Sequence, residues 1–100
     1  MRLDAEQAGW IADAVREHFG PQVQVRLFGS RLDDARRGGD IDLFIDGFDG
    51  DAADALRRRV ALLVALKDRL GDQHIDVVVA RTRGPHLTIH DVARAEGALL

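Results

Sequence analysis

The sequence predicts a small α/β (α+β) domain: a mixed β-sheet flanked by helices. Three observations lead there. Two long segments repeat their apolar residues at helical spacing, and three short segments alternate apolar and polar residues as strands do. Gly and Pro punctuate the boundaries, giving the order helix, strand, loop, strand, helix, strand, helix. Strands separated by helices build a two-layer or three-layer domain around one sheet.

Each element has its own warrant. Leu3 to Phe19 places Ala8, Ile11, Ala12, Val15 and Phe19 on one helical face. Asp4 is placed to cap it with Gln7 at the capping-box position, and Gly20-Pro21 stops it. Val23 to Phe28 alternates as a strand, and Gly29-Ser30 ends it. Leu32 to Gly39 is polar and finishes in two glycines, which predicts a loop or short helical turn. Asp40 to Asp46 alternates again, with Ile41, Leu43 and Ile45 on one face and Asp40, Asp42, Phe44 and Asp46 on the other. Residues 47–50 read as a turn. Asp51 caps a second helix running to Leu70, with Leu56, Val60, Leu63, Leu66 and Leu70 as its expected buried stripe and Gly71 as its stop. His74 to Ala80 is the third strand, with Asp76 on the face opposite Ile75, Val77 and Val79. Pro85 opens a short helix that Gly97 closes.

Composition narrows the function. The 100 residues predict a single domain spanning 1–100, and 46% apolar content supports a core. A net charge of −3 supplies no general basic field, so a nucleic-acid partner is not expected. Arginine provides 13 of the 14 basic residues, a bias of composition rather than a motif. With no cysteine, disulfides and thiolate metal sites are excluded. No apolar run approaches the roughly 20 residues of a membrane span, and no signal-peptide pattern opens the chain. A cytoplasmic location without membrane contact is the expectation.

The chemistry concentrates in the carboxylates. Asp40 and Asp42 are i and i+2 on a strand, so both point one way, roughly 6–7 Å apart. If the strands 40–46 and 74–80 are neighbours, Asp76 joins them. Three such charges disfavour one another, and a divalent cation is the simplest compensation. Hard oxygen ligands suit Mg2+, with Mn2+ as a substitute, and magnesium is commonly held by one or two carboxylates plus substrate phosphates. Gly29 allows a phosphate to approach the backbone, Ser30 adds a hydroxyl donor, and Arg31 can reach the same anion. The combination fits transfer of a nucleotidyl group from a nucleoside triphosphate with two metal ions. One ion would accompany the triphosphate, and the other, held by Asp40, Asp42 and Asp76, would activate the attacking hydroxyl.

These residues carry a resemblance. Gly29-Ser30-Arg31, then Asp40-Ile41-Asp42, then the third aspartate within His74-Ile75-Asp76-Val77, resemble the DNA polymerase β-like nucleotidyltransferase superfamily. Within it the chain resembles the minimal nucleotidyltransferases, which often act as antitoxins of MntA type beside a HEPN-domain ribonuclease toxin. The resemblance runs over nearly the whole chain. It implies the polymerase β-like fold, Gly29 and Ser30 as the phosphate-binding pair, and Asp40, Asp42 and Asp76 as catalytic metal ligands. It further implies transfer of AMP from ATP to a tyrosine of the toxin. Gly39 stands where the family commonly has serine, and the loop Leu32-Asp33-Asp34-Ala35 is more acidic than the arginine-rich family version. Two other readings stand beside the enzyme: a non-catalytic module that neutralises a HEPN-type partner by docking, and a subunit of a small-molecule transferase of aminoglycoside type. A homo- or hetero-oligomer is compatible with each.

Simpler roles are expected elsewhere. Asp46 reads as a solvated strand end, and Arg57-Arg58-Arg59 as a solvated helix face. Arg36 and Arg37 are loop residues within possible reach of phosphate. His86 and His90 share a helix face without a third ligand and read as structural or exposed. His74, two residues from Asp76, is a site-edge candidate. Trp10 reads as packing.

Overall fold

The computed structural model describes residues 5–28, 41–71, 74–85 and 87–100. It shows α1 (Ala5–Phe19), β1 (Gln24–Phe28), β2 (Ile41–Phe48), α2 (Ala52–Leu70), β3 (Ile75–Arg81), α3 (Thr88–Glu96) and β4 (Ala98–Leu99). The strand order is β3-β2-β1-β4. Strand β2 runs parallel to β3, while β1 runs antiparallel to both β2 and β4, so the sheet is mixed as expected. The helix α2 makes the crossover that a parallel β2–β3 pair requires.

The two sheet faces are built differently. Ile41, Leu43 and Ile45 of β2, Val25 and Leu27 of β1, and Ile75 and Val77 of β3 are buried in one cluster with α1 and α2. From α1 come Ile11, Ala12, Val15 and Phe19, and from α2 come Ala55, Leu62 and Leu66. The opposite face carries a smaller cluster, Phe44, Ala80 and Ala93 with Phe28 and Val78 at its edge, under α3. Strand alternation therefore sends Asp42, Asp46 and Asp76 to the α3 side.

Four features correct the sequence reading. Residues 47–50 are not a turn throughout, because β2 continues through Gly47 and Phe48. Gly47 takes φ +87° and the β2–β3 register shifts between Asp46 and Phe48, a bulge that lets Phe48 return to the main core. There its ring meets Phe19 edge-on at 5.2 Å between centroids. The chain after Gly97 adds β4, in which Leu27 faces Ala98 and the Leu100 N–H donates to the Val25 carbonyl at 2.9 Å. The last helix begins at Thr88, after Leu87, rather than at Pro85.

The fourth correction concerns α2. Leu66 is buried, but Leu56 and Val60 are 58% and 50% exposed, so the expected stripe is rotated from the true one. The inward frame is Ala55, Arg59, Leu62 and Leu66, with Leu63 and Leu70 packed along its border. Hydrophobicity alone chose the wrong frame because the true one holds an arginine. The Arg59 Nε–H donates to the Val77 carbonyl at 2.8 Å, so its stem lies along β3 while its charge is satisfied by backbone. At the helix ends the reading holds. The Asp51 carboxylate accepts from the Asp54 N–H at 2.7 Å, and the Gly71 N–H donates to the Lys67 carbonyl.

Candidate functional site

The parallel ladder decides where the carboxylates stand. Asp42 is paired in register with Asp76, as Leu43 is with Val77. In-register residues of neighbouring strands project to the same face, with backbones about 5 Å apart. Since Leu43 and Val77 are buried in the α1–α2 cluster, Asp42 and Asp76 share the other face. On its other side Asp42 is paired with Phe28 of β1. The described backbone stops at Phe28 and resumes at Ile41, and both ends border Asp42. Of the expected site residues, Gly29, Ser30, Arg31 and Asp40 lie outside the described residues, as do Arg36, Arg37, the 32–35 loop and His86.

Exposure differs between the two aspartates. Asp42 is half-buried between Phe28 and Asp76, whereas the Asp76 side chain is 57% exposed. The His74 Nε2 lies 3.1 Å from Asp76 Oδ2, so one carboxylate oxygen already has an imidazole beside it. The His74 carbonyl accepts the Ile41 N–H at 2.8 Å, tying the start of β3 to the start of β2. Backbone pairing thus holds His74 beside Asp76.

Farther along β2 the same face changes character. The expected solvated Asp46 is instead held by Arg94 of α3, whose Nε and Nη2 donate to its two carboxylate oxygens at 2.8 Å each. This two-pronged contact holds the Asp46 carboxyl below the usual range, and the Arg94 guanidinium is correspondingly harder to deprotonate. The Arg94 guanidinium also lies over the Phe44 ring, 5.5 Å from its centroid. His90 is buried against that ring at 5.6 Å and accepts the Leu87 N–H through Nδ1 at 3.4 Å. Thus α3 seals the far half of the face with Phe44, Asp46, His90 and Arg94, while the half bearing Asp42 and Asp76 adjoins the two chain ends. The contact of Arg94 with Asp46 was not foreseen. Its only sequence signal is one arginine beside small residues in a helix that must cover a sheet.

The arginine run also departs from expectation. Arg57 and Arg58 both donate to the Asp54 carboxylate at 3.0 Å, and Arg58 further donates to the His18 carbonyl and lies over Phe48. With Arg59 on Val77, only Arg57 remains largely solvated, at 71% side-chain exposure. Trp10 packs against the main core, with the Arg69 guanidinium 4.4 Å from its ring centroid, as a packing role predicts. Two surface depressions, of about 250 and 340 Å3, lie beside Trp10 and beside Arg81 and Arg83, and neither is lined by Asp42 or Asp76.

A divalent cation can be tested against this donor set. Asp42 and Asp76 present hard oxygens from adjacent strands on one face, which suits Mg2+ or Mn2+ completed by phosphate oxygens. Among the described residues no three His, Asp or Glu side chains form a metal-holding group, and the third expected ligand, Asp40, lies outside them. No described helix is long and apolar enough to cross a membrane. Compared with protein-family models and with curated proteins, the sequence matches none.

Proposed function

We propose that the chain is a magnesium-dependent nucleotidyltransferase that moves AMP from ATP to a hydroxyl, the acceptor being a tyrosine of a HEPN-type toxin in a cytoplasmic toxin–antitoxin pair. The observation that carries this reading is the in-register pairing of Asp42 with Asp76 on the α3 side of the sheet. Had Asp76 fallen one residue out of register, its side chain would lie in the core beneath α2 and the reading would fail. The resemblance of residues 29–31, 40–42 and 74–77 to the minimal nucleotidyltransferases supports the same conclusion.

In this reading Asp42 and Asp76, with Asp40, would hold Mg2+, and Gly29, Ser30 and Arg31 would receive the phosphates. Bound magnesium would neutralise phosphate charge and make the acceptor hydroxyl more acidic. The acceptor oxygen bonds to the α-phosphorus as the bond to pyrophosphate breaks. Asp76, the more exposed carboxylate, is placed to take the hydroxyl proton. The His74 imidazole lies beside one Asp76 oxygen, and in this reading the other would take the proton.

The test mixes the chain with α-labelled ATP, Mg2+ and the partner protein and follows label onto the partner. Transfer by the wild type, and a loss of at least about 100-fold in Asp42→Asn and Asp76→Asn, is the expected result. If the wild type transfers no label yet still neutralises the partner, and Asp42→Ala does so equally, the chain is a docking module.

A further inference from the structure

The side of α2 turned away from the sheet is apolar, and among the described residues nothing covers it. Val60 and Val64 are 50% and 66% exposed, and the small Ala61 between them is exposed as well. On a helix of 3.6 residues per turn, Arg57, Val60, Ala61, Val64 and Asp68 fall on one seam at i, i+3, i+4, i+7 and i+11. The seam is bounded by one cation and one anion, both exposed. It is also self-complementary. A two-fold axis crossing α2 between residues 62 and 63 brings Arg57 opposite Asp68 of a second copy, and Ala61 opposite Val64. The two contacts repeat by symmetry, so both ends of the pair are closed by opposite charges and the centre by small apolar groups.

We propose that α2 is a homodimer interface, in which two copies pair antiparallel across Ala61 and Val64 with reciprocal contacts between Arg57 and Asp68. Alanine at the centre permits close helix approach, and a shallow crossing near 20° keeps the charged ends, about 16 Å apart along the axis, within reach. Charge matching is what selects a second copy as occupant, since a chain of different sequence has no reason to supply both signs at this spacing. One helix pair buries less than the roughly 800 Å2 per partner of a standard interface, so the dimer belongs to the weak class. Because α2 covers the sheet face opposite Asp42 and Asp76, pairing leaves that site open on both copies. The inference therefore stands apart from the proposed chemistry.

Sedimentation equilibrium of the full chain from about 1 to 500 μM tests it, spanning the range of weak association. The wild type should move from monomer to dimer within that range. Arg57→Asp sets like charges against each other at both ends and should weaken association at least about tenfold. The swap Arg57→Asp with Asp68→Arg should return it to within about threefold of wild type. Val64→Glu should leave only monomer. All three positions lie on solvent, and circular dichroism melts verify that each variant is folded. A wild type that stays monomeric at the highest concentration overturns the proposal. So does a dimer indifferent to Arg57→Asp, or a charge swap that fails to restore pairing.

Discussion

Replacing Asp76 by asparagine should stabilise the metal-free protein and remove its response to magnesium. The two carboxylates in register are about 5 Å apart if their side chains follow the backbone spacing. At the dielectric of an exposed site their repulsion is about 0.8 kcal/mol, and physiological salt screens it to roughly 0.5. For a domain of 100 residues that is a rise of about 2–4 °C in Tm. Magnesium should act on only one of the two proteins. At five times its dissociation constant a ligand of the native state contributes about 1 kcal/mol, or about 4–8 °C, and only the wild type should show it. Differential scanning fluorimetry with and without millimolar MgCl2 reads both effects in one experiment. The reasoning is refuted if Asp76→Asn melts lower than the wild type without metal. It is refuted equally if magnesium raises both proteins by the same amount.

Arg94→Leu should lower stability at neutral pH, read by chemical denaturation, since a two-pronged but partly exposed pair is lost. Arg94 depresses the folded-state pKa of Asp46, so that stability is full above the ordinary carboxylate range and fades as pH falls through the depressed value. The gap between wild type and variant should therefore be constant above about pH 5 and close on acidification below about 4. Leu66→Ala, at a fully buried position, should cost about 2–5 kcal/mol in urea titrations, whereas Val64→Ala should change the monomer by no more than about 0.5. Gly47→Ala should cost about 1–2 kcal/mol through its φ of +87° alone, because an added Cβ meets nothing within 4 Å. If thermal melts of that variant match the wild type, the bulge is not what holds Phe48 in the core.

Element types and most boundaries were legible because the sequence periods are strong. Ile41, Leu43 and Ile45 alternate cleanly, and no helix can follow that pattern. The caps at Asp51 and Gly71 were legible for local reasons, being properties of a few adjacent residues. The relation of Asp42 to Asp76 was half legible. Sequence placed each on the polar side of its strand, but strand neighbours and register depend on how α2 crosses the sheet. The errors have one origin, a local signal overruled by a distant partner. Gly47 looks like a turn until the ladder of β3 claims the residues after it. Asp46 looks solvated until Arg94, 48 positions away, grips it. The stripe of α2 looks richest at Leu56 and Val60 until a carbonyl of β3 draws Arg59 inward.

That inward arginine has a consequence for how the protein survives at high concentration. The Ile41 N–H donates to the His74 carbonyl, so residues 74, 76 and 78 turn their carbonyls toward β2 and the carbonyl of Val77 points outward along the margin of the sheet. An outward carbonyl on a bordering strand is an invitation to a strand from another molecule, the first step toward fibrous aggregates. The guanidinium of Arg59 already fills that acceptor and sets a positive charge across the approach. The margin that β3 forms among the described residues is thereby guarded by its own crossover helix, and the cost is an arginine where a leucine would have made the helix easier to read.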